Sequence, residues 1–286
     1  MRELTAAAGD RAAGGKPGAR VVGITGPPGA GKSTTANALV AALRERGERV
    51  AVLAVDPSSP FSGGALLGDR VRMQGHATDP GVFIRSMASR GQLGGLAAAT
   101  PMAIRALDAA GFDVILVETV GVGQVELHVA SAADSTVVVV VPGMGDSIQA
   151  AKAGVLEIAD VLVVNKADRP DTDATVRDLR NMVALSTAAW RPPIVKTVAT
   201  EAGGIADLVG ELDRHWSWLS STGELERRRR ARARDEVLAM AVAAVRGQLD
   251  GPLLDALAAQ VADGTLDSRE ASGKLLGAVG YSPTPP

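Results

Sequence analysis

Short unbroken apolar runs alternate along this sequence with segments whose apolar residues recur every three or four positions. The runs RVVGITG (20–26), RVAVLAVD (49–56), VFIRSM (82–87), FDVILVET (112–119), STVVVVVPG (135–143), DVLVVNKAD (160–168) and PPIVKTVA (192–199) predict strands. Most are continuous and β-branched, as strands covered on both faces should be, which points to a parallel sheet. Between them, KSTTANALVAALRERG (32–47) has helical periodicity with Gly47 as its stop. The stretch 94–111 is also helical, with Pro101 inside the pattern predicting a boundary or kink. Beyond residue 204 the pattern turns wholly helical, with one long helix over 223–249 and two shorter ones after it. The expected fold is therefore α/β, a mostly parallel sheet flanked by helices. The expected division is a disordered extension over 1–19, a domain over 20–222 and a helical arm over 223–286.

Composition narrows the function. Aromatic residues are 2% of the total, so the core is aliphatic and nucleic-acid binding by base stacking has little material. A net charge of −2 also argues against a polyanion partner. The arginines of ERRRRARAR (226–234) read as the face of a solvated helix. There is no cysteine, which excludes disulfides and thiolate metal sites and favours a reducing compartment. The N-terminus lacks the apolar core of a leader, and no apolar run reaches the ~18 residues of a membrane span. A cytoplasmic location with no membrane or nucleic-acid partner is the expectation.

The stretch GPPGAGKSTT follows the first strand and opens the first helix. Gly26, Gly31, Lys32 and Ser33 satisfy the phosphate-loop pattern, with Pro28, Gly29, Ala30 and Thr34 completing the cradle. Such a loop wraps backbone N–H groups around a β-phosphate, Lys32 reaches the β- and γ-phosphates, and the Ser33 hydroxyl faces Mg²⁺. NKAD at a later strand end supplies a base selector. The Asp168 carboxylate can accept both N–H donors of the guanine edge, a pair adenine lacks. Asn165 would brace the loop, the Lys166 stem would cover the base, and the Ala199 N–H in TVATEAGG would face the guanine O6. Asp56, Asp69 and Glu118 are the acids available to a Mg²⁺–phosphate site, which takes hard oxygen ligands. Asp56 equally suits a turn before Pro57, and Asp69 a helix cap, so position alone leaves those two open. Gly121 belongs to a loop suited to sensing a γ-phosphate, and the stretch 142–154 is a second Gly-rich loop carrying Lys152. Val122 follows Gly121 where many GTPases place a water-orienting glutamine, so Asp56 is the better candidate to hold the water.

Taken in order and spacing, GPPGAGKST, VDPSSPFSGGALLGDRVRM, ETVGVGQ, VVVPGMGDSIQAAKAG and NKAD resemble the methylmalonyl-CoA mutase-associated G proteins of the MeaB/ArgK type. The resemblance implies a P-loop GTPase of the signal-recognition/MinD/BioD class that binds GTP or GDP with Mg²⁺. It implies an adenosylcobalamin-dependent acyl-CoA mutase as partner, with GTP gating cobalamin delivery and protecting the mutase. It implies Asp56, Asp69 and Glu118 at the Mg²⁺ site, 142–152 as a switch with Lys152 as reporter, and the C-terminal helices as a dimerisation arm. A small-molecule kinase or transport-associated ATPase is the alternative, and a nickel-insertion GTPase a more distant one.

Overall fold

The computed structural model describes residues 18–56, 74–76, 78–88, 100–119, 130–143 and 158–280. Seven strands form one sheet: β1 Arg20–Thr25, β2 Val50–Asp56, β3 Val82–Ala88, β4 Val114–Thr119, β5 Ser135–Val140, β6 Val161–Asn165 and β7 Ile194–Thr197. Their order is β3-β2-β4-β1-β5-β6-β7, and every pairing is parallel. Helices α1 Lys32–Glu45, α2 Thr100–Ala109, α3 Thr172–Ala184 and α4 Ile205–Thr222 flank it. β4, β5 and β6 are buried along their whole length, which is why they read as unbroken apolar runs. One core cluster sets Leu39 and Leu43 of α1 and Leu208 and Leu212 of α4 against Ile24, Val52, Leu116, Val137 and Val163. Two others lie under α2 and α3, around Leu107 and Ile115 and around Leu179 and Leu162.

The helix containing Pro101 is described over Thr100–Ala109, and the rest of the stretch expected to be helical before it, 94–99, lies outside the described residues. Two details differ from the sequence pattern. The strands over 135–143, 160–168 and 192–199 are shorter than their apolar runs, because the backbone turns as soon as it reaches the sheet's carboxyl edge. Helix α3 lies outside the elements expected above, although Val176, Leu179, Met182 and Val183 recur at helical spacing.

The molecule divides into two compact units, Met1–Arg229 and Arg230–Pro286. The second holds most of α5 (Glu224–Leu249), with α6 (Pro252–Ala262) and α7 (Ser268–Ala278). Helix α7 is capped by Asp267, whose side chain accepts from Arg269 N and Glu270 N. No residue of α5 is buried. Its apolar stripe is open, with Val237, Leu238, Val242 and Val245 between 48% and 69% exposed.

The arginine run is not a uniformly solvated face. Arg228 grips Asp160 with two bonds of 3.0 Å and also donates to Asp134 O. Arg229 grips Asp134 at 3.1 and 2.8 Å and donates to Ala19 O. Both carboxylates are buried just ahead of a strand, Asp134 before β5 and Asp160 before β6, and each also accepts a backbone N–H, from Val21 and Thr136. The first turns of α5 thus belong to the sheet domain's amino edge. His215 joins the same network: Nδ1 lies 2.8 Å from Ser135 Oγ and Nε2 3.2 Å from Asp160 Oδ1. This has the members of a Ser-His-acid triad, but His215 is fully buried, with Trp218 stacked on it and Trp190 tilted against it, so its role is packing.

Burial pushes the Asp160 carboxyl up, but the His215 ring and the Arg228 guanidinium outweigh it and hold it below the usual carboxylate range. A carboxyl depressed by folding stabilises the fold above its unfolded value, near 4, and that stability is lost as pH falls through the folded value. Urea melts of the full-length protein should therefore weaken below about pH 4. In Arg228→Gln the acid limb should begin at higher pH, because Asp160 loses its guanidinium. An unchanged limb would show that this pair does not shape the acid response.

Candidate nucleotide site

Because all seven strands are parallel, their carboxyl ends share one edge of the sheet, the edge where open α/β sheets bind ligands. At the end of β1, Gly26 has φ 141°, and a Cβ there would lie 2.1 Å from Val139 O on β5. The loop can leave the sheet only as glycine. Gly31, φ 91°, starts α1, and a Cβ there would lie 2.3 Å from Asn165 Nδ2. Pro28 and Gly29 form the exposed tip, Ala30 is buried beneath it, and Thr34 is half-buried in the first turn of α1. The Lys32 ammonium folds back over its own loop and donates to Gly26 O at 2.8 Å and Pro27 O at 3.0 Å.

The Ser33 hydroxyl donates to Glu118 Oε1 at 2.5 Å. Glu118 ends β4 fully buried, in register with Ile24 of β1 and Ala54 of β2. A buried carboxylate against a loop hydroxyl is a pair of hard oxygen donors beside the phosphate loop, which fits Mg²⁺. Asp56 ends β2 in register with Ala88, on the same carboxyl edge. Asp69, Gly121 and Lys152 lie outside the described residues.

Asn165, at the end of β6, ties three loops together. Its Nδ2 donates to Ala30 O at 2.9 Å, and its Oδ1 accepts from Thr197 Oγ1 at 3.1 Å and Ala199 N at 3.2 Å. Lys166 takes a left-handed conformation, φ 56°, and its Nζ reaches Gly29 O at 2.9 Å, so its stem runs over the phosphate loop. Asp168 stands exposed at the tip of the turn. The Ala199 N–H differs from expectation: it is turned onto Asn165, because the backbone folds into a short 3₁₀ turn, Ala199–Glu201, directly after β7. The Thr197 hydroxyl is the one member of this cluster that sequence reasoning misses. Its signal is its place in TVAT, at the end of a strand beside NKAD.

A glycine-cornered loop between a parallel strand and a helix, with a lysine folded over it and a strand-end carboxylate on its serine, defines a P-loop nucleotide-binding protein. A family model described as methylmalonyl Co-A mutase-associated GTPase MeaB matches residues 5–251, and the chain belongs to that family of GTPases. A protein of Pyrococcus abyssi (strain GE5 / Orsay) named as a candidate GTPase is 52% identical over 240 residues, covering 82% of this chain and 74% of that one. The methylmalonic aciduria type A homolog, mitochondrial, of Mus musculus is 38% identical over 222 residues, covering 75% of this chain and 53% of that protein. The crystal structure of a LAO/AO transport system kinase superposes with TM-score 0.69 at 26% identity, covering 93% of this chain and 83% of that one.

Proposed function

We propose that the protein hydrolyses GTP slowly by itself and faster when bound to an adenosylcobalamin-dependent acyl-CoA mutase, whose cobalamin loading and protection it gates. The Ser33–Glu118 contact beneath the phosphate loop carries the nucleotide half of this reading, and the family's description supports the mutase half. Lys32 and the loop N–H groups hold the phosphates. Ser33 and Glu118, with Asp56 and Asp69, hold Mg²⁺ directly or through water, and the ion when bound neutralises charge on the β- and γ-phosphates. Asp56 positions the attacking water. Asn165, Lys166 and Asp168 hold guanine, with Ala199 at the edge of the base. Gly121 senses the γ-phosphate, and Lys152 reports the mutase to the site. The exposed stripe of α5 pairs with a second copy of the protein.

Single-turnover hydrolysis tests this. The protein alone should turn over at roughly 10⁻⁴ to 10⁻² s⁻¹, the range of unassisted GTPases. A cobalamin-dependent mutase should raise that rate. Lys152→Ala should keep the basal rate and lose the acceleration, while Asp56→Ala should lose the accelerated rate more than nucleotide affinity. Fast turnover without a partner, or Lys152→Ala behaving as wild type with the mutase, would overturn the gating. Phosphate transfer to an added amino acid would instead favour a kinase, the name borne by the structure of TM-score 0.69.

A further inference from the structure

Strand β7 is the outer strand on its side of the sheet, and α4 runs beside it. Between them lies a groove of about 500 Å³ lined by Ile194, Val195, Lys196, Asp207, Gly210 and Glu211. Pro193 O and Thr197 O accept from Leu162 N and Ala167 N, on the β6 side. A strand alternates, so the N–H and C=O of Ile194 and the N–H of Lys196 face outward. Lys196 O packs on Gly204, where a Cβ would come within 2.0 Å, and this closes the far end. Among the described residues this edge is unpaired, and it is short.

Two features keep it open. A lysine on an edge strand ordinarily blocks pairing. Here the Lys196 ammonium is drawn aside to Asp173 Oδ1 at 2.6 Å. Gly210 sits inside a helix, where glycine is destabilising relative to alanine, yet a Cβ there would meet nothing within 4 Å. Packing among the described residues does not require glycine at 210; an empty groove does. Of the charged side chains lining the groove, Lys196 is held by Asp173 and Glu211 by Arg214 at 2.7 Å, which leaves the Asp207 carboxylate with no ion pair among the described residues.

We propose that this groove docks a short extended segment of a partner protein carrying a lysine or arginine, which pairs with β7 as an added strand. A backbone carbonyl of that segment accepts from Ile194 or Lys196, and its cation meets Asp207. One and three residues beyond Lys196, Thr197 and Ala199 hold Asn165, so the docked strand steadies the base loop and slows nucleotide release. That last effect rests on the guanine assignment above; the pairing itself does not.

The test uses the full-length protein, ¹⁵N-labelled, and a hexapeptide alternating valine and lysine. Saturable shifts are expected at the Ile194 and Lys196 amides. A peptide with glutamate for lysine, and one N-methylated at alternate residues, should each bind at least tenfold more weakly. Gly210→Trp, which fills the groove, should weaken binding at least tenfold with thermal midpoint and GDP affinity unchanged. Asp207→Lys should weaken it severalfold. GDP release should slow severalfold with peptide in the wild type and not in Gly210→Trp. Equal binding of the glutamate or N-methylated peptide, or Gly210→Trp binding as wild type, would overturn the docking site. Intact pairing with unchanged GDP release would overturn the coupling alone.

Discussion

Asp168→Asn is expected to move the protein's preference from guanine to xanthine nucleotides. The carboxylate accepts both guanine N–H groups at once, and an amide in its place offers one acceptor and one mismatched donor. GTP affinity should fall by roughly 3 kcal/mol, more than a hundredfold, as a buried polar pair is left unmatched. Xanthine carries a carbonyl where guanine carries its amino group, so xanthosine triphosphate should bind the variant better than GTP does. Asp168 is exposed at its turn, so its replacement should leave the fold intact and isolate the ligand effect. Displacement of a fluorescent GDP by each triphosphate reads the switch. A variant that still prefers GTP would remove the base-selector assignment.

The second large effect concerns where the polypeptide tolerates truncation. A protein ending after Ser221 lacks Arg228 and Arg229 and leaves buried Asp160 and Asp134 without their guanidiniums. Breaking a buried ion pair on one side is strongly destabilising. These guanidiniums are partly solvated, so about 2 kcal/mol per pair is the expected order, against a typical total of 5–15 kcal/mol. A protein ending after Arg234 keeps both arginines and loses the stripe that begins at Val237. It should melt several degrees above the shorter form, bind guanine nucleotide and run as a monomer in light scattering, while the full-length protein runs as a dimer. Equal melting of the two truncations would deny the arginines their structural role. A full-length protein that is monomeric at micromolar concentration would remove the dimer.

The strands are legible in the sequence because burial on both faces writes itself as unbroken Val, Ile and Leu. The phosphate loop is legible because glycine is required at fixed corners, and Gly26 and Gly31 are hemmed in by Val139 and Asn165. Helix α3 carries a helical signal as well, Val176, Leu179, Met182 and Val183 at three- and four-residue spacing, set among polar residues. The partners of Arg228 and Arg229 are not legible. Asp160 and Asp134 lie 68 and 95 residues away, and no local period encodes a pairing at that range. Adjacent arginines, Arg227 and Arg228, end in different settings, one on Glu224 alone and one gripping a buried carboxylate.

The placement of the tryptophans decides what light can report. There are three, and all of them sit at the amino edge. Trp190 donates to Asp160 O and packs at a tilt against Trp218 and His215, and Trp216 lies under the Arg229 guanidinium. None is near Asn165 or the phosphate loop, which lie past the opposite ends of the strands. Intrinsic emission is therefore blind to the nucleotide itself and sighted on the root of α5. A colour shift on adding GTP is a signal that has crossed the full length of β5 and β6, so the untouched protein already carries its own gauge of whether its two edges communicate.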